Sequence, residues 1–152
     1  MSHEKHIRTA NAADLPALLE LYRQLHPDDP VLPSDTALQI WQQFSAFHGS
    51  KIFLGFKETK LVATCTLVII PNLTRFGSPY GLVENVVTDS AYQRLGYGRA
   101  LLKTAIESAW ECDCYKVMLL TGSKKPETIR FYAESGFEQS KTGFQMRRPA
   151  TM

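Results

Sequence analysis

Residues 93–100, with the sequence Gln-Arg-Leu-Gly-Tyr-Gly-Arg-Ala, are the part of the chain best suited to bind an anion. The segment follows a predicted strand and opens a predicted amphipathic helix. Because glycine has no side chain, Gly96 and Gly98 allow backbone N–H groups to approach a ligand at the positive end of the helix dipole. Arg94 and Arg99 can add charge-assisted hydrogen bonds to the same ligand. The pattern predicts a binding site for a pyrophosphate group.

Other nucleotide-binding loops fit this segment less well. A dinucleotide-binding Gly-x-Gly-x-x-Gly motif requires glycine where Leu101 stands, and a Walker loop requires Gly-Lys-Ser or Gly-Lys-Thr, which the sequence lacks. A purely structural alternative stays open, in which Gly96 and Gly98 only shape the turn into the helix.

Glu84 interrupts the apolar run Leu82–Val87. A carboxylate in a buried strand is costly unless it is paired or functional, so Glu84 is a candidate general base. The alternative is that Glu84 points to solvent, because a regular strand places it on the same face as Val86 and Thr88.

Tyr132 is the second candidate for chemistry, since a phenol can donate a proton to a leaving group. The alternative is a buried aromatic position on a helix stripe with Ile129 and Ala133. Cys65 lies in a predicted hairpin strand with no histidine nearby in the sequence, so we do not expect a covalent cysteine mechanism. The three cysteines and four histidines lack metal-ligand spacing, and no metal is expected.

The predicted elements place these residues in one mixed α/β domain over residues 1–152. Helices are predicted from about Asp14, from Ser34 or Asp35, after Leu95 and from Pro126. Strands are predicted at Ile7–Arg8, Lys51–Phe56, Leu61–Ile70, Leu82–Thr88 and Lys116–Leu120, with one or two more between Phe137 and Arg147. The hairpin must be antiparallel, whereas strands joined through a helix can pair in parallel, so the sheet is mixed.

Composition limits the classes of partner. Seventeen basic and 15 acidic residues give a net charge of +2, which is too balanced for a protein that binds nucleic-acid backbone. The longest apolar stretch, Leu67 to Pro71, is too short for a membrane span, and the N-terminus lacks the apolar segment of a signal peptide. We therefore expect a cytoplasmic protein with no nucleic-acid or membrane partner. Its oligomeric state, a homodimer included, stays open.

Two motifs stand in order in the second half of the chain, Gln93-x-x-Gly96-x-Gly98 and Phe131-Tyr132-x-x-x-Gly136-Phe137. They resemble the acetyl-CoA pyrophosphate signature and the last-helix motif of the GNAT superfamily, the acyl-CoA-dependent N-acetyltransferases. The resemblance implies an α/β fold with a mixed, mostly antiparallel twisted sheet of six to seven strands and about four flanking helices. The sheet would be splayed between strands four and five, where the pantetheine arm enters.

The same resemblance implies acetyl-CoA as co-substrate and assigns its contacts. Backbone groups of strand four would bind the pantetheine, and the glycine loop would hold the pyrophosphate, through Val86, Val87, Thr88, Arg94, Leu95, Gly96, Tyr97, Gly98 and Arg99. Where many members have Asn and Ala near the last helix, this chain has Lys125 and Thr128. A pantetheine contact is therefore in doubt, although Lys125 can instead approach a coenzyme A phosphate.

The resemblance also implies direct transfer of the acetyl group to a primary amine. Tyr132 would be the acid for the leaving thiolate, and Glu84 the base, directly or through water. The Val86 N–H would donate to the oxyanion, which requires a bulge in the strand to expose it.

The acceptor wall of such enzymes comes from the first two helices, their connection and the loop before strand four. Here these supply Tyr22, His26, Asp28, Asp29, Trp41, Arg75, Phe76 and Tyr80. The two aspartates would attract a cationic amine, and Arg75 a phosphate or carboxylate. Residues 82–87 also look like the corresponding strand of glucosamine-phosphate N-acetyltransferases. We expect a small-molecule amine; a protein or peptide N-acetyltransferase and a non-catalytic acetyl-CoA sensor are the alternatives.

Overall fold

A computed structural model describes residues 5–150 of the chain. They form two compact units, with the boundary between Leu119 and Leu120. The first unit holds the sheet and three α-helices, and the second holds the last helix. Within residues 5–150, no helix is both long enough and apolar enough to cross a membrane. The single domain expected from the sequence stays a prediction.

The first unit is built on a sheet with the strand order β1-β2-β3-β4-β5. The strands are β1 (His6–Thr9), β2 (Lys51–Lys57), β3 (Lys60–Ile70), β4 (Tyr80–Thr88) and β5 (Val117–Leu119). Consecutive strands pair antiparallel from β1 to β4, whereas β4 and β5 are parallel. The mixed, mostly antiparallel sheet predicted above is confirmed.

Helices pack on both faces of this sheet. These are α1 (Leu15–Leu25) on one face and α3 (Tyr97–Glu111) on the other, and α2 (Ser34–Ser45) lies beside α1. Leu18 and Leu21 of α1 form a buried cluster with Leu54, Leu61 and Val87 of the strands. On the other face, α3 buries an apolar stripe made of Leu101, Leu102, Ala105 and Ala109. The α1 face and the α3 face therefore each contribute to the core.

The second unit contains α4 (Pro126–Glu134). Proline suits the first helical position because its missing N–H would have no acceptor within the helix there. The helix is followed by Gly136, whose left-handed φ of 99° suits a residue that ends a helix. The four predicted helices are thus all present.

The strands predicted between Phe137 and Arg147 are absent from the described structure. Every residue from 138 to 150 is exposed, with Phe144 at 91% and Met146 at 97%. A strand is stabilised by ladder hydrogen bonds and by burial against a neighbour, and this segment gains neither. The sheet therefore has five strands, and the expectation of six to seven was wrong.

A bulge interrupts the pairing of β3 with β4. Thr64 pairs with Val87 and Thr66 with Glu84, so Asn85 and Val86 together stand opposite Cys65. Asn85 takes a left-handed φ of 51°, which asparagine tolerates better than most residues. The extra residue shifts the alternation of side chains between the two faces by one position. As a result, Val87 points to the α1 face and packs in the core there. Glu84, Val86 and Thr88 therefore do not share one face, as a regular strand would require; a bulge in this strand is what the proposed role of the Val86 N–H requires.

The ladder between β4 and β5 ends where Val83 pairs with Leu119. β4 continues for five more residues, Glu84 to Thr88, beyond this last pair. No strand of the described residues pairs with β4 on its β5 side beyond Val83, so an extended ligand can add there as a further strand. The Thr88 carbonyl accepts a long hydrogen bond from Gln93 Nε2 at 3.5 Å. The bulge therefore lies within the stretch of β4 that has no strand beside it on the β5 side, here called the free edge.

Substitution of Asn85 tests the bulge. Glycine adopts a positive φ without strain, whereas a β-branched side chain at that φ is a steric outlier. We expect Asn85→Gly to keep the free energy of unfolding within about 0.5 kcal/mol of wild type, and Asn85→Val to lower it by about 2 kcal/mol. Urea unfolding followed by circular dichroism measures both. Equal stabilities for the two variants would mean that the left-handed residue does not hold the bulge.

Candidate active site

Residues 93–99, here called the anion loop, lead from the end of β4 into α3. The backbone is left-handed at Arg94 (φ 63°) and Gly96 (φ 87°), so the chain turns sharply before the helix begins. Ala100 donates the first hydrogen bond of the helix, to the Gly96 carbonyl at 3.1 Å. The N–H groups of Tyr97 and Gly98 precede that bond and lie at the positive end of the helix dipole. This arrangement can bind a pyrophosphate.

Side chains beside the anion loop differ in what they offer a ligand. Tyr97 is only 5% exposed and packs beside Gly55, so it presents its backbone and not its ring. Lys5, which precedes β1, lies against Gly96: a Cβ at that glycine would be 3.3 Å from Lys5 Nζ. Sequence reasoning missed Lys5, because the ladder between β1 and β2 brings it close and no motif marks it.

A short 3-10 turn, Ser90–Tyr92, holds the start of the anion loop. Its three N–H groups all have acceptors: Gln24 Oε1 for Ser90 (2.9 Å), Asp89 Oδ1 for Ala91 (2.9 Å) and the Asp89 carbonyl for Tyr92 (2.8 Å). Lys60 of the hairpin adds an ion pair to Asp89 Oδ2 at 3.8 Å. The anion loop is thus fixed to α1 through Gln24 and to β3 through Lys60, two contacts that the sequence did not indicate.

Glu84 lies on the α1 face of the sheet, opposite Thr66 of β3. Glu84 is exposed, whereas Thr66 is 6% exposed and its Oγ1 is buried without a well-formed hydrogen bond. The phenol of Tyr22, on α1, lies near the hydroxyls of Thr66 and Thr64. Burial raises the pKa of Tyr22, and the two hydroxyls offset this in part. The structure therefore places Tyr22 of the predicted acceptor wall near the strand position of Glu84.

Other residues predicted for the acceptor wall lie elsewhere in the first unit. The Arg75 guanidinium is 5.6 Å from the Tyr115 ring centre, and the Tyr80 ring is 6.4 Å from that of Tyr115. Tyr80 begins β4, four residues before Glu84, or about 13 Å at roughly 3.3 Å per residue. The Trp41 ring is tilted against that of Phe44 on its own helix, with centres 6.2 Å apart. His26, Asp28, Asp29 and Phe76 are exposed.

Cys65 is unsuited to act as a nucleophile. It is fully buried on the α3 face, with its sulfur 3.8 Å from the Leu101 carbonyl oxygen. Burial raises the pKa of Cys65 to about 12, so the thiol stays protonated at neutral pH. Within residues 5–150 no group of three metal-ligating side chains comes together.

Tyr132 and Lys125 belong to the second unit. The Tyr132 ring is tilted against Phe131, with centres 5.1 Å apart, and meets Phe137 edge to face at 6.3 Å. Tyr132 is partly buried. Lys125 is exposed and immediately precedes α4, where its N–H donates to Ser123 Oγ at 3.3 Å. Both the aromatic packing and the loop before the helix are therefore ordered by short-range contacts.

Comparison with known proteins places these features in a family. The family model of the acetyltransferase (GNAT) family matches residues 15–137. A glucosamine 6-phosphate N-acetyltransferase of Trypanosoma brucei brucei is 30% identical over 131 residues, which cover 86% of this chain and 87% of the relative.

Solved structures agree with that match. A protein of Agrobacterium tumefaciens str. C58, described as a putative acetyltransferase, is 48% identical, with a TM-score of 0.89 over 94% of this chain and 99% of its own. A transcriptional regulator from Bacillus halodurans C-125 is 26% identical, with a TM-score of 0.82 over 95% of this chain and 100% of its own. With the family model covering most of the chain, the protein belongs to the acetyltransferase (GNAT) family and is an acetyl-CoA-dependent N-acetyltransferase.

Proposed function

We propose that the chain acetylates the primary amine of a small phosphorylated amino sugar, with glucosamine 6-phosphate as the first candidate. The observation that carries the proposal is the match to a glucosamine 6-phosphate N-acetyltransferase over nearly the whole length of both chains. A rice relative described as a probable glucosamine 6-phosphate N-acetyltransferase is 36% identical over 89 residues. The strand Leu82–Val87, which carries Glu84 and the bulge, looks like the corresponding strand of glucosamine-phosphate N-acetyltransferases.

In this proposal, acetyl-CoA binds along the free edge of β4 and at the anion loop. The backbone groups of Val86, Val87 and Thr88 bond the pantetheine amides as an added strand would. The anion loop binds the pyrophosphate through the helix N-terminus and Arg94, with Lys125 approaching a coenzyme phosphate. The open ladder beyond Val83 and the two left-handed residues of the anion loop support this placement.

The bulge supplies the oxyanion donor. A bulged residue is not held by the regular ladder, so its N–H is available to another acceptor. The Val86 N–H donates to the thioester oxygen, where negative charge develops as the amine attacks. Direct attack needs no enzyme nucleophile, in keeping with the buried, protonated thiol of Cys65.

Two proton transfers complete the reaction. Glu84 accepts the proton that the amine loses, directly or through water, and Tyr132 donates a proton to the coenzyme A thiolate as it leaves. The exposed carboxylate of Glu84 on the α1 face suits the first role, since solvent can carry its proton away.

A second candidate is a regulatory protein that binds acetyl-CoA without turnover. The similarity to a transcriptional regulator of Bacillus halodurans is the observation in its favour. Such a protein would bind the coenzyme and release no thiol with any amine.

A thiol-release assay with acetyl-CoA separates the two. We expect free coenzyme A to appear with glucosamine 6-phosphate, and at least about tenfold more slowly with glucosamine, which lacks the phosphate. The panel includes polyamines, amino acids and a lysine peptide. Turnover with another amine would contradict the proposed acceptor but not the assignment as an enzyme. If no amine released coenzyme A while acetyl-CoA still bound, the regulatory protein would be favoured.

Removal of the Tyr132 hydroxyl should affect chemistry and not binding. We expect Tyr132→Phe to lower kcat by about 100-fold, with the Kd for acetyl-CoA within about twofold of wild type. Steady-state kinetics and isothermal titration measure the two quantities. An unchanged kcat would assign Tyr132 to packing against Phe131 and Phe137.

Glu84 is tested through the pH profile of kcat/KM. In wild type, kcat/KM should rise with pH because only the neutral amine attacks the thioester, and Glu84→Gln should be about 100-fold slower at each pH. Glu107→Gln is the matched control, because Glu107 is an exposed carboxylate of α3 that pairs with Lys103. If Glu84→Gln kept the wild-type rate, another group would be the base.

A further inference from the structure

Lys5 stands apart from every motif in the sequence, yet it lies at the anion loop. A Cβ on Gly96 would be 3.2 Å from Lys5 Cε and 3.3 Å from Nζ, so the lysine side chain lies directly over this glycine. We propose that Lys5 binds the coenzyme pyrophosphate and is a third source of positive charge there, beside Arg94 and the N-terminus of α3. The inference rests on the proposed coenzyme site.

Lys5 is held in place by structure on both sides. It directly precedes β1, whose first residue His6 pairs with Phe56 of β2, so the ladder fixes where Lys5 leaves the sheet. Its ammonium lies 5.7 Å from the centre of the Tyr97 ring. That ring is 5% exposed and wedged beside Gly55, so it is a rigid support for the lysine.

Among residues 5–150, no carboxylate forms an ion pair with the ammonium of Lys5. The ion pairs of residues 5–150 that involve lysine join Lys60 to Asp89 and Lys103 to Glu107, and Lys5 pairs with no carboxylate of these residues. A cation that is positioned but not neutralised binds an anion without first breaking an internal contact. The absence of a side chain at Gly96 leaves the room that the lysine occupies.

A pyrophosphate at the anion loop would therefore meet charge from two directions. The N–H groups of Tyr97 and Gly98 approach from the helix. Lys5 approaches from the β1 side of the loop, above Gly96. The two contributions are independent, because one is backbone and the other a side chain from the start of the chain.

The test compares ligands with and without the pyrophosphate. Lys5→Met keeps the aliphatic stem and removes the charge. We expect it to raise the Kd for acetyl-CoA by about tenfold, and Lys5→Arg to stay within about threefold of wild type. Dephospho-coenzyme A keeps the pyrophosphate but lacks the 3′-phosphate. Lys5→Met should raise the Kd for this ligand by the same factor as for acetyl-CoA. S-acetylpantetheine has no pyrophosphate, so wild type and Lys5→Met should react with it at the same kcat/KM.

Lys103→Met is the matched control, since it removes an exposed lysine of α3 and should leave acetyl-CoA binding unchanged. Equal affinity of wild type and Lys5→Met would overturn the proposal. So would a loss for Lys5→Met that vanishes with dephospho-coenzyme A, which would assign Lys5 to the 3′-phosphate, or an equal loss with S-acetylpantetheine, which would indicate a change of fold. If wild type itself failed to bind acetyl-CoA, the proposed coenzyme site would fall, and that outcome is distinct from the others.

Discussion

The bulge at Asn85 and Val86 is the constraint on which the site depends. Two residues of β4 stand against Cys65 of β3, so the strand period changes partway along β4. Before the bulge, Glu84 is turned toward α1 and solvent; after it, Val87 is buried under the same helix. A regular strand could not place a charged and an apolar residue three positions apart on one face. The left-handed backbone of Asn85 absorbs this change.

The end of the β4–β5 ladder adds a second consequence to the same stretch. Because pairing stops at Val83, the bulged part of β4 has backbone groups open on its β5 side. An ordinary edge strand invites unwanted pairing, whereas a short bulged edge accepts one extended ligand and little else. The coenzyme arm that we propose here would be bound by backbone groups, a mode of binding that is compatible with valine side chains at positions 86 and 87.

Charge is concentrated locally, although the chain as a whole is nearly neutral. Lys5, Arg94 and the first N–H groups of α3 meet at the anion loop, while the net charge is +2. The neighbouring turn is tied to α1 by Gln24 and to the hairpin by Lys60 and Asp89. These ties connect the helix of the predicted acceptor wall to the loop that we assign to the coenzyme.

In the sequence, two motifs carried the resemblance to the family. The four helices, the five strands and the glycine loop followed from local periodicity, breaker residues and glycine placement. The sequence also predicted strands after Phe137 that the described structure lacks, since alternation cannot supply a pairing partner. Tertiary structure decided the phase of β4, the burial of Tyr97 and the arrival of Lys5 and Gln24 at the anion loop. Each of these depends on which distant strands and helices meet, and register and packing between distant segments leave no local pattern in the sequence.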